Sequence, residues 1–240
     1  MEMLTTMITP YKKDGSIDYE TAEKYVDWYF ENGLDGIFAI CQSSEIFFLS
    51  LEERVELNKR VYIRAKELEK KSGKDFVVVS SGHISETIEE QAHELTKIWE
   101  SGTDALILIT NRLDINNEGD DVFIENGNKL LSMLPPDVKL GFYECPYPYK
   151  RLVTPKILDW CISTGRFTYM KDTCCDAKVI KERVEQLKGT GFKLLNADPK
   201  GTACLYDNVS DVVFSVRMGS DIENDWAKKL EQDYKRTKKR

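Results

Sequence analysis

The chain has 240 residues, 41% hydrophobic and 31% charged, enough for one large core or two small ones and too apolar for wholesale disorder. Its 34 basic and 41 acidic residues leave a net charge of -7, which argues against a general nucleic-acid binder; the one basic run, 235–240, reads as a solvated end. Six cysteines with no CxxC pair are too sparse for a disulfide scaffold and point to a reducing cytoplasm, and no apolar run approaches the roughly 18 residues of a membrane span.

In chain order, short runs rich in β-branched and aromatic residues alternate with longer amphipathic stretches. Strands are expected at 3–9, 35–41, 76–82, 104–110, 139–145, 167–173, 193–197 and 211–216. Several are continuously apolar, as parallel strands covered on both faces should be. Helix starts are legible between them. Ser50 with Glu53 and Thr87 with Glu90 have the spacing of a capping box, and Thr154 precedes Pro155 as an N-cap precedes a first-turn proline. In the second helix Val55, Leu57, Val61, Ile63, Ala65 and Leu68 suggest one buried face.

Eight βα units in one chain of this length favour an α/β fold of the closed (β/α)8 barrel type, with an open doubly wound sheet as the alternative. The phosphate loops that often mark open sheets, GxGxxG after the first strand or GxxxxGK[ST], do not occur. No low-complexity linker divides the chain, so residues 1–240 are read as a single domain, with about 221–240 forming a terminal helix.

In such a barrel chemistry sits at the C-terminal ends of the strands. The polar residues there include Thr9, the segment Cys41-Gln42-Ser43-Ser44-Glu45, Ser80, Ser81 and His83, Tyr143 and Glu144, and Lys171 and Asp172. Lys171 stands out, because its neighbours Thr168, Tyr169 and Met170 read as strand and its side chain must leave water on either face. A desolvated amine loses its proton more readily and then attacks ketones. The alternative is a lysine paired with Asp172 or Asp176, or snorkelling from the rim. Tyr143, at the end of the adjacent strand, can pass protons as a phenol or simply fill the core. The hydroxyls and backbone N–H groups of Gln42, Ser43 and Ser44 suit a small carboxylate, and Phe214 in the last strand joins them as a binding candidate.

The order of these features resembles the dihydrodipicolinate synthase and N-acetylneuraminate lyase family: Ile8-Thr9-Pro10 after the first strand, a polar segment ending in Glu45 after the second, Tyr143-x-x-Pro146 after the fifth, and Met170-Lys171-Asp172-Thr173 on the sixth. The separation of tyrosine and lysine, 28 positions (171 − 143), fits that family. The resemblance implies a (β/α)8 barrel that condenses or cleaves pyruvate or a related 2-oxo acid with an aldehyde, as a homo-oligomer, dimer or tetramer. It makes Lys171 the Schiff-base lysine, Tyr143 the proton-relay tyrosine and Ser43 the hydroxyl that grips the carboxylate. It requires no cofactor beyond the covalent imine and no metal.

This chain departs from the family's pattern at several positions. The family's Gly-Thr-Thr-Gly-Glu reads Cys41-Gln42-Ser43-Ser44-Glu45, and the segment after the fourth strand holds no tyrosine. Pro148 stands where the synthases place an arginine for the second substrate, with Arg151 three residues on as its possible substitute. These differences imply a lyase or aldolase acting on another 2-oxo acid, or alternatively a non-catalytic paralogue binding a small acid or a protein partner. The family's C-terminal helical extension is expected to be short or missing. The two histidines, His83 and His93, form no metal-ligand cluster, and His93 is expected on a helix.

Overall fold

The computed structural model describes residues 3–197 and, as backbone, 212–217. Eight parallel strands close into a barrel in chain order: β1 (Met3–Thr6), β2 (Gly36–Phe38), β3 (Val77–Ser80), β4 (Ala105–Ile109), β5 (Leu140–Tyr143), β6 (Phe167–Asp172), β7 (Lys193–Asn196) and β8 (Val212–Arg217). β8 pairs with both β7 and β1, so the sheet has no open edge. All eight expected strands form, each ending earlier than its apolar run except β8. The final residues of the runs leave the ladder to build the loops at the barrel mouth. The expected terminal helix lies outside the described residues.

Among the described residues six helices pack outside: α1 (Tyr19–Glu31), α2 (Leu51–Ser72), α3 (Ile88–Ser101), α4 (Asp120–Met133), α5 (Pro155–Thr164) and α6 (Ala177–Leu187). Ser50 and Glu53 cap α2 reciprocally, and Thr154 caps α5 ahead of Pro155. Thr87 caps α3 through the Glu90 N–H, but its hydroxyl donates to the Glu90 carboxylate at 2.8 Å, so that carboxylate closes onto the side chain of the cap. On α2 the buried stripe is Arg54, Leu57, Asn58, Val61 and Ala65, whereas Ile63 is 48% exposed. The expected face holds at Leu57, Val61 and Ala65, with Val55 and Leu68 packed at its margins, and fails at Ile63, because two polar residues, Arg54 and Asn58, complete the buried stripe.

The registry of β5 against β6 positions the site. Leu140 pairs with Phe167, but Gly141 pairs with Tyr169, so Thr168 is an extra residue, a β-bulge. In a strand with period two, Phe167 and Tyr169 would share a face. Here Phe167 stacks on Phe142 at 4.8 Å in the layer beneath the helices, while Tyr169 joins the cluster that holds Tyr143 and Leu4. The bulge thus reverses the phase of β6 and brings Lys171 into register with Tyr143. Gly141 makes the close approach possible: a Cβ there would lie 2.7 Å from the Tyr169 carbonyl oxygen.

Candidate active site

Lys171 is 9% exposed, with its Nζ 4.4 Å from the centre of the Tyr143 ring and 5.5 Å from that of Phe38. Phe38 and Tyr143 meet edge to face, with centroids 5.7 Å apart. Lys171 lines, with Leu4, Phe38, Val79, Ile107, Phe142 and Leu195, a partly open cavity that offers the centre of a water molecule about 10 Å³, room for a single water at most. A three-carbon acid must therefore approach Lys171 from the C-terminal mouth.

At the mouth the Tyr143 hydroxyl donates to Gln42 Oε1 at 3.1 Å, and the Cys145 thiol points at the same oxygen at 3.7 Å. Burial pushes that thiol's pKa up, which keeps its proton in place for the contact. Gln42 opens a short 3₁₀ turn, Gln42–Ser44, so a residue 101 positions away in sequence reaches the phenol. The turn itself is fastened by Ser44. Its Oγ lies 2.6 Å from the Ala39 carbonyl, 2.9 Å from that of Met7, and accepts from the Cys41 N–H at 3.2 Å, while the Ser44 carbonyl takes the Thr9 hydroxyl at 2.7 Å. Ser44, a binding candidate by sequence, thus spends its hydroxyl on the loop. Ser43 is half-buried and takes no part in that fastening.

The pairing of Lys171 with Asp172 or Asp176 weighed from sequence finds both carboxylates engaged elsewhere. Asp176 accepts the Lys178 and Val179 N–H groups at the start of α6. Asp172 points away from the barrel interior to Arg183 of α6, whose guanidinium also reaches Glu144 at 2.6 Å and the Val153 carbonyl at 2.6 Å. Glu144 accepts from the Val153 and Thr173 N–H groups, each at 2.8 Å. One buried cation thereby ties together the residues that follow Tyr143 and Lys171. Burial pushes the Glu144 carboxyl up against the pull of Arg183; burial also works against the Arg183 charge, and Glu144 and Asp172 outweigh it and raise its pKa. Sequence reading named Glu144 and Asp172 as strand-end residues but missed Arg183; its only signal was an arginine on the otherwise apolar stripe Ile180, Val184, Leu187.

Arg151, the expected substitute for a substrate-binding arginine, is committed to the fold. Its Nε contacts Asp114 at 2.9 Å and an Nη contacts Asp120 at 2.6 Å. A substrate carboxylate would have to displace two protein carboxylates, one of them fully buried, so Arg151 is corrected to a loop anchor. Asn111 does related work, donating from Nδ2 to the carbonyls of Cys145, Tyr147 and Tyr149 at 2.6–3.0 Å. His83 is likewise structural: its Nδ1 meets Gln91 Oε1 at 2.9 Å and its Nε2 accepts the Ile109 N–H at 2.7 Å. Both ring nitrogens are used and burial pulls its pKa down to about 4, which fixes the neutral ring. Phe214 is described only in backbone register, opposite Met3 and Asn196; its side chain lies outside the described residues. Among the described residues no three His, Cys, Asp or Glu side chains group as metal ligands, and no helix is long and apolar enough to cross a membrane.

Comparison with known proteins places this arrangement. Residues 1–111 match the model of the dihydrodipicolinate synthetase family. The 4-hydroxy-tetrahydrodipicolinate synthase of Prochlorococcus marinus (strain MIT 9301) is 35% identical over 107 residues, 45% of this chain and 33% of the relative. The chain spans between 19% and 34% of the length of the first eight curated relatives it matches. Among solved structures, dihydrodipicolinate synthase from Cyanidioschyzon merolae, with lysine bound, superposes with a TM-score of 0.75 at 20% identity, over 90% of this chain and 69% of that one. The chloride-inhibited enzyme from Acinetobacter baumannii, complexed with pyruvate, gives 0.70 at 20% identity over the same shares. The first 111 residues therefore match the dihydrodipicolinate synthetase family model, and the barrel they open has the fold of these solved dihydrodipicolinate synthases.

Proposed function

We propose that the chain is a lysine-dependent lyase or aldolase that joins pyruvate, or a related 2-oxo acid, to an aldehyde or cleaves the adduct. The observation that carries this reading is the Lys171 amine, buried against the face of a tyrosine whose hydroxyl is anchored at the barrel mouth. The family match and the pyruvate-bound relative supply the substrate class.

In the proposed reaction the neutral amine adds to the ketone carbon, and the carbonyl oxygen takes a proton to give a carbinolamine. Loss of water leaves an iminium, an electron sink beside the reacting carbon. A methyl proton departs to give an enamine, which adds to the aldehyde carbon while the aldehyde oxygen is protonated. Water then returns, releases a 4-hydroxy-2-oxo acid and restores the amine; cleavage runs the same steps backwards. Tyr143 is the group placed to move protons at the amine. Its hydroxyl donates to Gln42, an amide oxygen that does not take up a proton at neutral pH, so Gln42 orients the phenol. Ser43 and the N–H groups of its turn are assigned to the carboxylate.

A homo-oligomer is part of this reading. Phe48 is 85% exposed and Tyr147 55% exposed at the mouth, where Tyr147 packs edge-on to Phe47 at 4.9 Å. These aromatics suit burial against a second copy. The five described cysteines are free thiols, which supports a reducing cytoplasm as the setting.

Incubation with pyruvate and borohydride, followed by peptide mass analysis, tests the reading. A reduced adduct is expected on Lys171 and none in Lys171→Ala. If a broad panel of 2-oxo acids leaves Lys171 unmodified, the reading fails.

A further inference from the structure

Among the described residues two buried side-chain nitrogen or oxygen atoms have no hydrogen-bond partner, Arg166 Nε and Thr6 Oγ1. Arg166 satisfies its other nitrogens on the carbonyls of Leu131 and Pro135, at the end of the barrel away from the mouth. Thr6 has no such compensation. It is 2% exposed and its one hydroxyl is unused. A hydroxyl kept dry and unpaired works against folding, so a residue of this kind calls for a partner that the described residues do not supply.

Position identifies that partner's place. Thr6 is the last residue of β1, two after Leu4, and thus on the same face; Leu4 lines the same cavity as Lys171. Thr6 is also in register with Phe38, whose ring packs against the Lys171 amine at 5.5 Å. Register neighbours in a parallel pair project to the same side, so Thr6 and Phe38 stand together on the wall facing the amine. Among the described residues those lining the cavity besides Lys171 are apolar. The unpaired hydroxyl therefore adds a polar point beside Phe38, the ring that packs against the amine.

We infer that Thr6 contacts the substrate: its hydroxyl binds an oxygen of the 2-oxo acid held at Lys171, either directly or through the water that imine formation releases. A threonine hydroxyl donates one hydrogen bond and accepts two, so it serves a carbinolamine oxygen, a carboxylate or a water alike. The inference rests on the imine reading above, and it adds that the wall opposite the amine is polar for the sake of the ligand rather than the fold.

Thr6→Val removes the hydroxyl and keeps the shape, and two measurements on the full chain then move in opposite directions. Its unfolding midpoint is expected to equal or exceed that of the parent. The pyruvate concentration giving half-maximal borohydride trapping on Lys171 is expected to rise about tenfold, the worth of one hydrogen bond to substrate. Thr6→Ser, which keeps the hydroxyl, should trap within about twofold of the parent. Trapping by Thr6→Val at the parent's concentration overturns the inference. So does a Thr6→Val chain that is less stable or unfolded, because the hydroxyl then serves the fold, and so does a Thr6→Ser chain as impaired as Thr6→Val. A parent chain that traps nothing overturns the imine reading itself; that result is distinguished because it precedes any substitution.

Discussion

His83 and Lys171 are two buried ionisable side chains at strand ends of one barrel, and their surroundings give them opposite prospects. The imidazole spends one nitrogen on Gln91 and the other on the Ile109 N–H, so its proton is fixed and no face is left for a ligand. The amine lies against two aromatic rings, while the carboxylate next to it in sequence is turned outward and held by Arg183. Burial alone therefore does not mark a reactive group. What separates the two is the chemistry of the neighbours: two hydrogen bonds fix the imidazole in its neutral form, whereas the amine rests on the faces of Phe38 and Tyr143.

Removing the phenol oxygen should sharpen that contrast most. Tyr143→Phe keeps the ring beside Phe38 and the amine but deletes the donor to Gln42, and the rate of pyruvate trapping on Lys171 is expected to fall by about 10²–10⁴ with circular dichroism unchanged. Arg183→Ala attacks the support behind the pair. It leaves two buried carboxylates uncompensated and is expected to cost about 3–5 kcal/mol in chemical denaturation. A smaller loss, about 1–3 kcal/mol, is expected for Gly141→Ala, whose Cβ must push back the Tyr169 carbonyl; trapping should fall with it, because the same movement shifts the pairing of Tyr143 with Lys171.

The mildest test falls on the other member of the comparison. His83 has a folded pKa of about 4, below the ordinary histidine value, so as pH falls from about 6.5 the unfolded chain takes up a proton that the folded chain refuses. His83 should therefore contribute a loss of stability that accumulates between about pH 6.5 and pH 4 and levels off below. Denaturation midpoints across that range check it, with His83→Gln, which does not titrate there, showing the shallower slope.

Much of the fold was legible in the chain. The eight apolar runs, the caps at Ser50 and Thr154 and the position of Lys171 among strand residues rest on local pattern and capping chemistry, and the structure keeps them. The misreadings share a cause. Ile63 was placed on the buried face of α2 because apolar counting cannot foresee Arg54 reaching Glu94 at 3.0 Å, or Asn58 reaching Ser101 at 2.8 Å, from within that face. Arg151 was given to a substrate because Asp114 and Asp120, 37 and 31 positions away, are not visible as its partners in a linear reading. Ser44 was offered to a ligand because the carbonyls of Met7 and Ala39 that surround it belong to two different strand ends.

By itself the sequence determined the alternation of strand and helix, the lysine set in an apolar strand and the phenol 28 positions before it, since each is written in short-range spacing. Which way that lysine faces was decided only in three dimensions. Strict alternation from Phe167 would set Lys171 on the same side as Phe167, among the helices; the extra residue at Thr168, admitted where Gly141 has no side chain, turns it toward Tyr143. A bulge depends on how two strands fit together rather than on the pattern of either, and the side the Lys171 amine faces is set by that fit.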